Sequence, residues 1–242
     1  MGHFIKTSLG ALLSINVVMF VLFHIAVAIW GNEAVQWFGV SAPNPMPWIW
    51  SFVSYMFTQA SLWDLMFGLL WIYFFGRLFL EIGTDRQLLV SYIVGGLCGA
   101  IVYLIGSVCG LHHGLILIGS SAAALSIVTC AALRAPYMRL HIMFFGAVEY
   151  RWIAIIAIVV SLLSFATGNT GGAIAHIGGV IGGMLAWRII RRKMKFRISK
   201  PYIKKPNSSK TLDELLDKVK RSGYASLTAE ERRQLLEYSK SL

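Results

Sequence analysis

The chain has 242 residues, of which 57% are hydrophobic and only 14% charged, with a mean hydropathy of +0.66. Soluble domains carry roughly 45–50% apolar and about 25% charged residues, so an ordinary soluble enzyme is excluded, and disorder, collagen and repeat arrays with it. The net charge of +11 suggests nucleic acid until it is located: residues 191–242 hold 15 Lys and Arg against 6 Asp and Glu, so the basicity belongs to a tail and no nucleic-acid partner is implied.

Six apolar blocks run along the chain, centred roughly on residues 10–30, 62–80, 88–108, 114–133, 152–167 and 172–190. Each approaches the ~20 residues a helix needs to cross a bilayer. A barrel strand would alternate polar and apolar residues over only about ten positions, so a closed barrel is excluded. The expected fold is an all-α membrane protein, a six-transmembrane-helix bundle with a short helical tail.

Lys6 and Ala26-Val27-Ala28 give the first block the look of a signal peptide, but the apolar run is longer than a signal h-region and reads better as a span. Gly31 to Gln59 contains Pro43, Pro45 and Pro47 among the aromatics Trp37, Phe38, Trp48, Trp50 and Tyr55. It is too broken to span, and is expected in the outer interface where Trp and Tyr concentrate. Cys98, Cys109 and Cys130 lie in or at the ends of apolar runs, with no CxxC pair and no zinc-like His spacing, and read as small packing residues. No phosphate loop and no ligand cluster is present, so no metal or other cofactor is implied.

The loops set the orientation. No Lys or Arg separates the first and second blocks, the third and fourth, or the fifth and sixth, whereas Lys6, Arg77, Arg86, Arg134, Arg139, Arg151 and the tail fall at the other ends. The positive-inside rule then puts both termini in the cytoplasm. Residues 1–190 form the membrane domain, 191–210 a basic juxtamembrane linker and 211–242 a two-helix tail. The linker's Arg191, Arg192, Lys193, Lys195, Arg197, Lys200, Lys204 and Lys205 would attract anionic lipids at about 1 kcal/mol each near the surface. In the tail, Thr211-x-x-Glu214 and Thr228-x-x-Glu231 are capping boxes separated by Gly223, and Leu212, Leu215, Leu216 and Val219 form a narrow stripe. Such a stripe needs a partner surface: the second tail helix, the membrane face or another protein.

Polar side chains inside spans are costly and therefore candidates for function. Asp64, Ser121 and His176 stand out. Counted at 1.5 Å per residue from Gly114, Ser121 lies roughly 10 Å below the outer surface, and His176 lies roughly 8 Å below it counted from Gly171. Small residues crowd both: Gly119-Ser120-Ser121-Ala122 around the serine, and Gly171-Gly172, Gly178-Gly179 and Gly182-Gly183 around the histidine. Spans so lined can pack closely and bring an imidazole to a hydroxyl.

Gly119-Ser120-Ser121-Ala122 resembles the GxSA nucleophile motif of rhomboid intramembrane serine proteases, and Ala175-His176-Ile177-Gly178-Gly179 with Gly183 resembles the AHxxG...G motif of their last core span. Tyr92 to Gly99 is similar to the glycine-rich third span, and Leu70-Trp71 with Gly76 and Glu81 to the end of the second. The resemblance covers residues 1–190, and the basic stretch with Gly223-Tyr224-x-Ser226-Leu227-Thr228 resembles an appendage of some bacterial members. It implies Ser121 as nucleophile, His176 as its base, and Gly119, Gly179 and Gly183 as close-packing residues. A base within hydrogen-bond reach is what turns a serine hydroxyl into a nucleophile.

Aligned on Trp71 and Gly76, the family's HxxxN of the second span, which helps form the oxyanion hole, falls on Asp64 and Gly68. The aromatic expected four residues after the nucleophile is Leu125, and the first loop lacks the family's Trp-Arg pair. The backbone N–H of Ser121 remains as an oxyanion donor. A protonated Asp64 is a second candidate, as in other oxyanion holes, and His112, His113 or Ser120 could also substitute.

The implied activity is an intramembrane serine endopeptidase of the inner membrane that cuts the transmembrane segment of another membrane protein. Two readings stand beside it: a proteolytically silent module that grips client helices, and a transporter. Inverted repeats and paired intramembrane charges, which a transporter would show, are not visible.

Overall fold

The computed structural model describes residues 7–41, 48–112, 116–142, 146–166, 168–198 and 212–240, which divide into two compact units, Met1–Lys195 and Phe196–Leu242. Lys6, the three loop prolines, His113, Gly114, Thr211 and the basic stretch beyond residue 198 lie outside the described residues.

The first unit opens with α1 (Ser8–Trp30), whose N-cap Thr7 accepts from the Gly10 N–H. After it come α2 (Asn32–Phe38), β1 (Val40–Ser41) and α3 (Ser51–Ser54), the last running into a 3₁₀ turn at Tyr55–Phe57. Ser61 caps α4 (Leu62–Ile82), and a Thr84–Gln87 capping box starts α5 (Asp85–Val108). Strand β2 (Ile116–Leu117) pairs antiparallel with β1, Val40 opposite Leu117. Then follow α6 (Ser121–Arg134), a hairpin of β3 (Arg139–Ile142) and β4 (Gly146–Glu149), α7 (Tyr150–Leu162) and α8 (Thr170–Ile198).

This unit exposes apolar surface of a kind that a soluble domain would bury, around a mainly apolar core that also holds polar side chains. Asn16, Thr58, Gln59, Ser91, Ser126 and Thr129 are buried, while Val18, Leu22 and Ile25 of α1, Trp63, Phe67 and Leu70 of α4, and Ile156 and Val160 of α7 are exposed. Apolar surface of this extent is expelled by water and matched by lipid, whereas polar groups in lipid must find partners inside the protein. Several do so on neighbouring backbone: Asn16 Nδ2 donates to Leu12 O at 2.8 Å, Ser126 Oγ to Ser91 O at 2.7 Å, and Thr129 Oγ1 to Leu125 O at 2.9 Å.

Among the described residues, four helices are long and apolar enough to cross a membrane: Ser8–Trp30, Leu62–Ile82, Asp85–Val108 and Thr170–Arg192. The blocks expected at 114–133 and 152–167 fold as shorter helices, α6 with 14 residues and α7 with 13. At 1.5 Å per residue these rise only roughly 20 Å, against about 30 Å of hydrocarbon. Local features bound both. Ile116 and Leu117 are committed to the ladder with β1, and Gly119 adopts φ +133°, outside any right-handed helix. On the other side, α7 runs into a 3₁₀ turn at Leu163–Phe165 and Gly168 takes φ +83°. The depth count for Ser121, which assumed helix from Gly114, is therefore replaced by a loop that delivers Ser121 as the first residue of α6.

The C-terminal end of the loop expected at the outer interface is packed into the protein. Tyr55, Met56, Thr58 and Gln59 are all buried, the Tyr55 hydroxyl donates to Gly96 O, and Tyr92 Oη donates to Met56 O at 2.6 Å. Of the three cysteines read as packing residues, Cys130 is buried, Cys98 is partly buried and Cys109, which ends α5, is exposed.

Glycines set the approach of α5, α6 and α8. A β-carbon on Gly178 would stand 2.6 Å from Cys98 O, and one on Gly182 the same distance from Gly95 Cα, so these two seat α8 on α5. Gly179 would meet the Ala122 backbone, and Gly183 would stand 2.7 Å from Ser126 O, so these two seat α8 on α6. Backbone-to-backbone contact of this kind is the small-residue packing that holds membrane helices together.

In the second unit, α9 (Leu212–Ser222) and α10 (Ala229–Lys240) are joined through Gly223, at φ +78°, and a 3₁₀ turn at Tyr224–Ser226. The two helices are partners for one another. Lys218 Nζ lies 2.7 Å from Glu231 Oε2, Leu215 and Leu227 are buried, and Thr228 N donates to Glu231 Oε2 at 2.9 Å in the capping box. Leu216 of the expected stripe stays exposed.

Candidate active site

Ser121 and His176, 55 residues apart in sequence, meet. Nε2 of His176 lies 2.8 Å from Ser121 Oγ, and its Nδ1 lies 2.9 Å from the carbonyl oxygen of Ser161. A carbonyl can only accept, so Nδ1 carries the proton and Nε2 presents its lone pair to the serine hydroxyl. In the neutral ring this contact fixes one tautomer, and a backbone atom of α7 sets its orientation. His176 stands less than two turns into α8, whose own seat on α5 and α6 is set by Gly178, Gly179, Gly182 and Gly183.

Ser121 begins α6, and the first α-helical bond closes behind it, from Ala124 N to Ser120 O at 2.9 Å. The N–H groups of a helix's first turn have no partner within the helix and point out along its axis, where the macrodipole also favours negative charge. The serine oxygen is therefore next to backbone donors. Gly119 holds the approach to this turn, its N–H donating to Tyr55 O at 3.0 Å. It does not serve close packing as expected: around its missing β-carbon only Ser121 Oγ comes within 4 Å, at 3.9 Å, and glycine is required there by φ +133°.

Ser121 and His176 open into a cavity of about 420 Å³ whose walls include Gln59, Asp64, Phe67, Gly68, Ser120, Ser161 and Asn169. Gly68 faces Ser120: a β-carbon on it would stand 2.8 Å from Ser120 Oγ and 3.8 Å from Gln59 Nε2. Asp64 is on the rim, exposed, in the first turn of α4. Its Oδ2 accepts from Ser61 Oγ at 2.6 Å, and its N–H donates back to the same oxygen at 3.1 Å. His112 is away from this wall, its Nε2 2.9 Å from Tyr103 O and its ring against Tyr103. Leu125 is buried and contributes to the cavity.

Four contributors escape sequence reasoning. Gln59 turns its amide nitrogen to Asn16 Oδ1 at 2.8 Å, and Asn16 is itself oriented by Leu12 O. Asn169 accepts from Gly172 N at 2.9 Å, capping the helix that carries His176. Ser161 acts through its carbonyl. Asn16, a lone amide in the first apolar block, carried a readable signal; a backbone carbonyl carries none.

A family model described as "Rhomboid domain" matches residues 47–193, and a second, described as a family of unknown function (DUF6576), matches residues 202–241. No curated protein matches the chain.

Proposed function

The chain belongs to the rhomboid family and is an integral membrane protein, and on that premise we propose that it is an intramembrane serine endopeptidase that cleaves the transmembrane segments of other membrane proteins. The observation that carries the reading is the 2.8 Å contact of His176 Nε2 with Ser121 Oγ, in a cavity, with Nδ1 tied to Ser161 O.

In this reading Ser121 Oγ adds to the scissile carbonyl carbon while its proton passes to Nε2 of His176. The carbonyl pair moves to oxygen, and the resulting oxyanion is stabilised by the Ser121 N–H at the start of α6. When the tetrahedral adduct collapses, the carbon–nitrogen bond breaks and His176 returns the proton to the leaving amine; a water, activated by the same base, then hydrolyses the acyl-enzyme. The scissile bond must leave its helix before a serine can reach it, so substrates carry small or helix-breaking residues near the site. The short α6 and α7 count as the fourth and fifth of six spans, both termini are cytoplasmic in the inner membrane, and the basic linker lies against anionic lipid.

Asp64 and Gly68 favour a second reading, a silent module that binds client helices, because neither supplies an obvious neutral donor to an oxyanion. A fluorophosphonate probe separates the two. Labelling of Ser121 that disappears in His176→Ala supports the enzyme, and an unreactive Ser121 in the folded wild type supports the silent module.

A further inference from the structure

Ser120 is the N-cap residue of α6, where a serine ordinarily turns its oxygen onto the N–H of the second or third helical residue. It does not do so. Its backbone sits at φ −84°, ψ −3°, away from the extended geometry of a capping residue, and no side-chain cap is formed. The residue is nevertheless only 2% exposed. Its oxygen reaches across the cavity wall toward α4 and fills the room left at Gly68, where a β-carbon would stand 2.8 Å away.

Other polar side chains of the cavity each have at least one partner of their own. Gln59 directs its amide nitrogen to Asn16, Asp64 accepts from Ser61, Asn169 caps α8, and His176 is bound at both nitrogens. Ser120 is thus a buried hydroxyl in the wall of the cavity that holds Ser121, adjacent to it in the chain and not spent on its own helix.

We propose that Ser120 Oγ donates the second hydrogen bond to the oxyanion, beside the backbone N–H of Ser121; this rests on the Ser121–His176 reading above. Ser120 makes and breaks no covalent bond and keeps its proton. It stabilises charge that appears on the carbonyl oxygen as Ser121 Oγ bonds to the carbon, and a donor fixed in advance in a site of low dielectric is most effective there. Glycine at position 68 is part of the device, because any side chain there would displace the hydroxyl.

The test uses the full chain and a synthetic transmembrane substrate, with active enzyme counted by fluorophosphonate titration of Ser121. Ser120→Ala should lower kcat about 100-fold, the usual order for one oxyanion donor, and leave KM nearly unchanged. With sulfur, a weaker acceptor, in place of the scissile carbonyl oxygen, the penalty should be about tenfold smaller in Ser120→Ala than in wild type. Gly68→Ala, whose methyl would press on Ser120 Oγ, should show both effects and serves where Ser120→Ala fails to fold. An undiminished kcat in Ser120→Ala, or equal sulfur penalties in variant and wild type, would overturn the assignment and leave the dyad standing. Cleavage that survives Ser121→Ala would instead overturn the protease reading itself.

Discussion

The carbonyl oxygen of Ser161 accepts a hydrogen bond from Nδ1 of His176 at 2.9 Å. The partner that sets the imidazole's tautomer is thus a main-chain atom of α7 and not a carboxylate, and in the proposed mechanism His176 is the base of a two-residue dyad. Because catalysis needs the lone pair on Nε2, cleavage should fall as pH drops through the titration of His176 and hold on its alkaline side. Rates of cleavage and of Ser121 labelling should share that acid limb; a labelling rate flat across it would remove His176 as the base.

Ser121→Ala and His176→Ala should each abolish cleavage of a model transmembrane substrate with little change in detergent stability. Groups that act as one unit are non-additive, so the double variant should be no slower than either single. Multiplying losses would mean the two side chains act separately.

Gly179 lies against the Ala122 backbone and Gly183 against Ser126 O. Alanine at either position has no flexible neighbour to push aside, and overpacking should cost about 1–3 kcal/mol. Thermal unfolding in detergent should register the loss, and activity should drop with it as His176 moves away from Ser121. Gly119→Ala meets no such wall, so its cost should come from φ +133° alone and fall on the geometry of Ser121.

Asp64 exchanges two hydrogen bonds with Ser61 at the start of α4, where a carboxylate also meets the positive end of the helix dipole. Asp64→Ala should cost on the order of 0.3–1 kcal/mol of stability. If its role ends there, wild type, Asp64→Ala and Asp64→Asn should give the same pH profile of cleavage. An alkaline fall present in wild type and absent from Asp64→Asn would make the protonated acid an oxyanion donor.

The one-sided distribution of Lys and Arg fixes an expected topology. In a cysteine-free background, single cysteines at Asn44 and Asn169 should react with an impermeant reagent added outside, and one at Ser208 should not. Outside labelling at Ser208 would invert the orientation and move the Ser121–His176 pair to the cytoplasmic face.

The sequence by itself determined the membrane character of the chain, its apolar blocks and the pairing of Ser121 with His176. Polar side chains are so costly in lipid that the few inside apolar runs stand out, and glycines spaced along one helix announce a close neighbour. Hydropathy could not show that the fourth block begins as strand and turn, because a run buried on all sides looks the same whether it is extended or helical. Only the tertiary structure decided that Ser121 opens α6, that Ser161 orients His176 and that Ser120 faces Gly68. The first two depend on backbone conformation and a backbone atom, which have no signature in the order of residues, and the third on which residue the fold sets opposite Gly68.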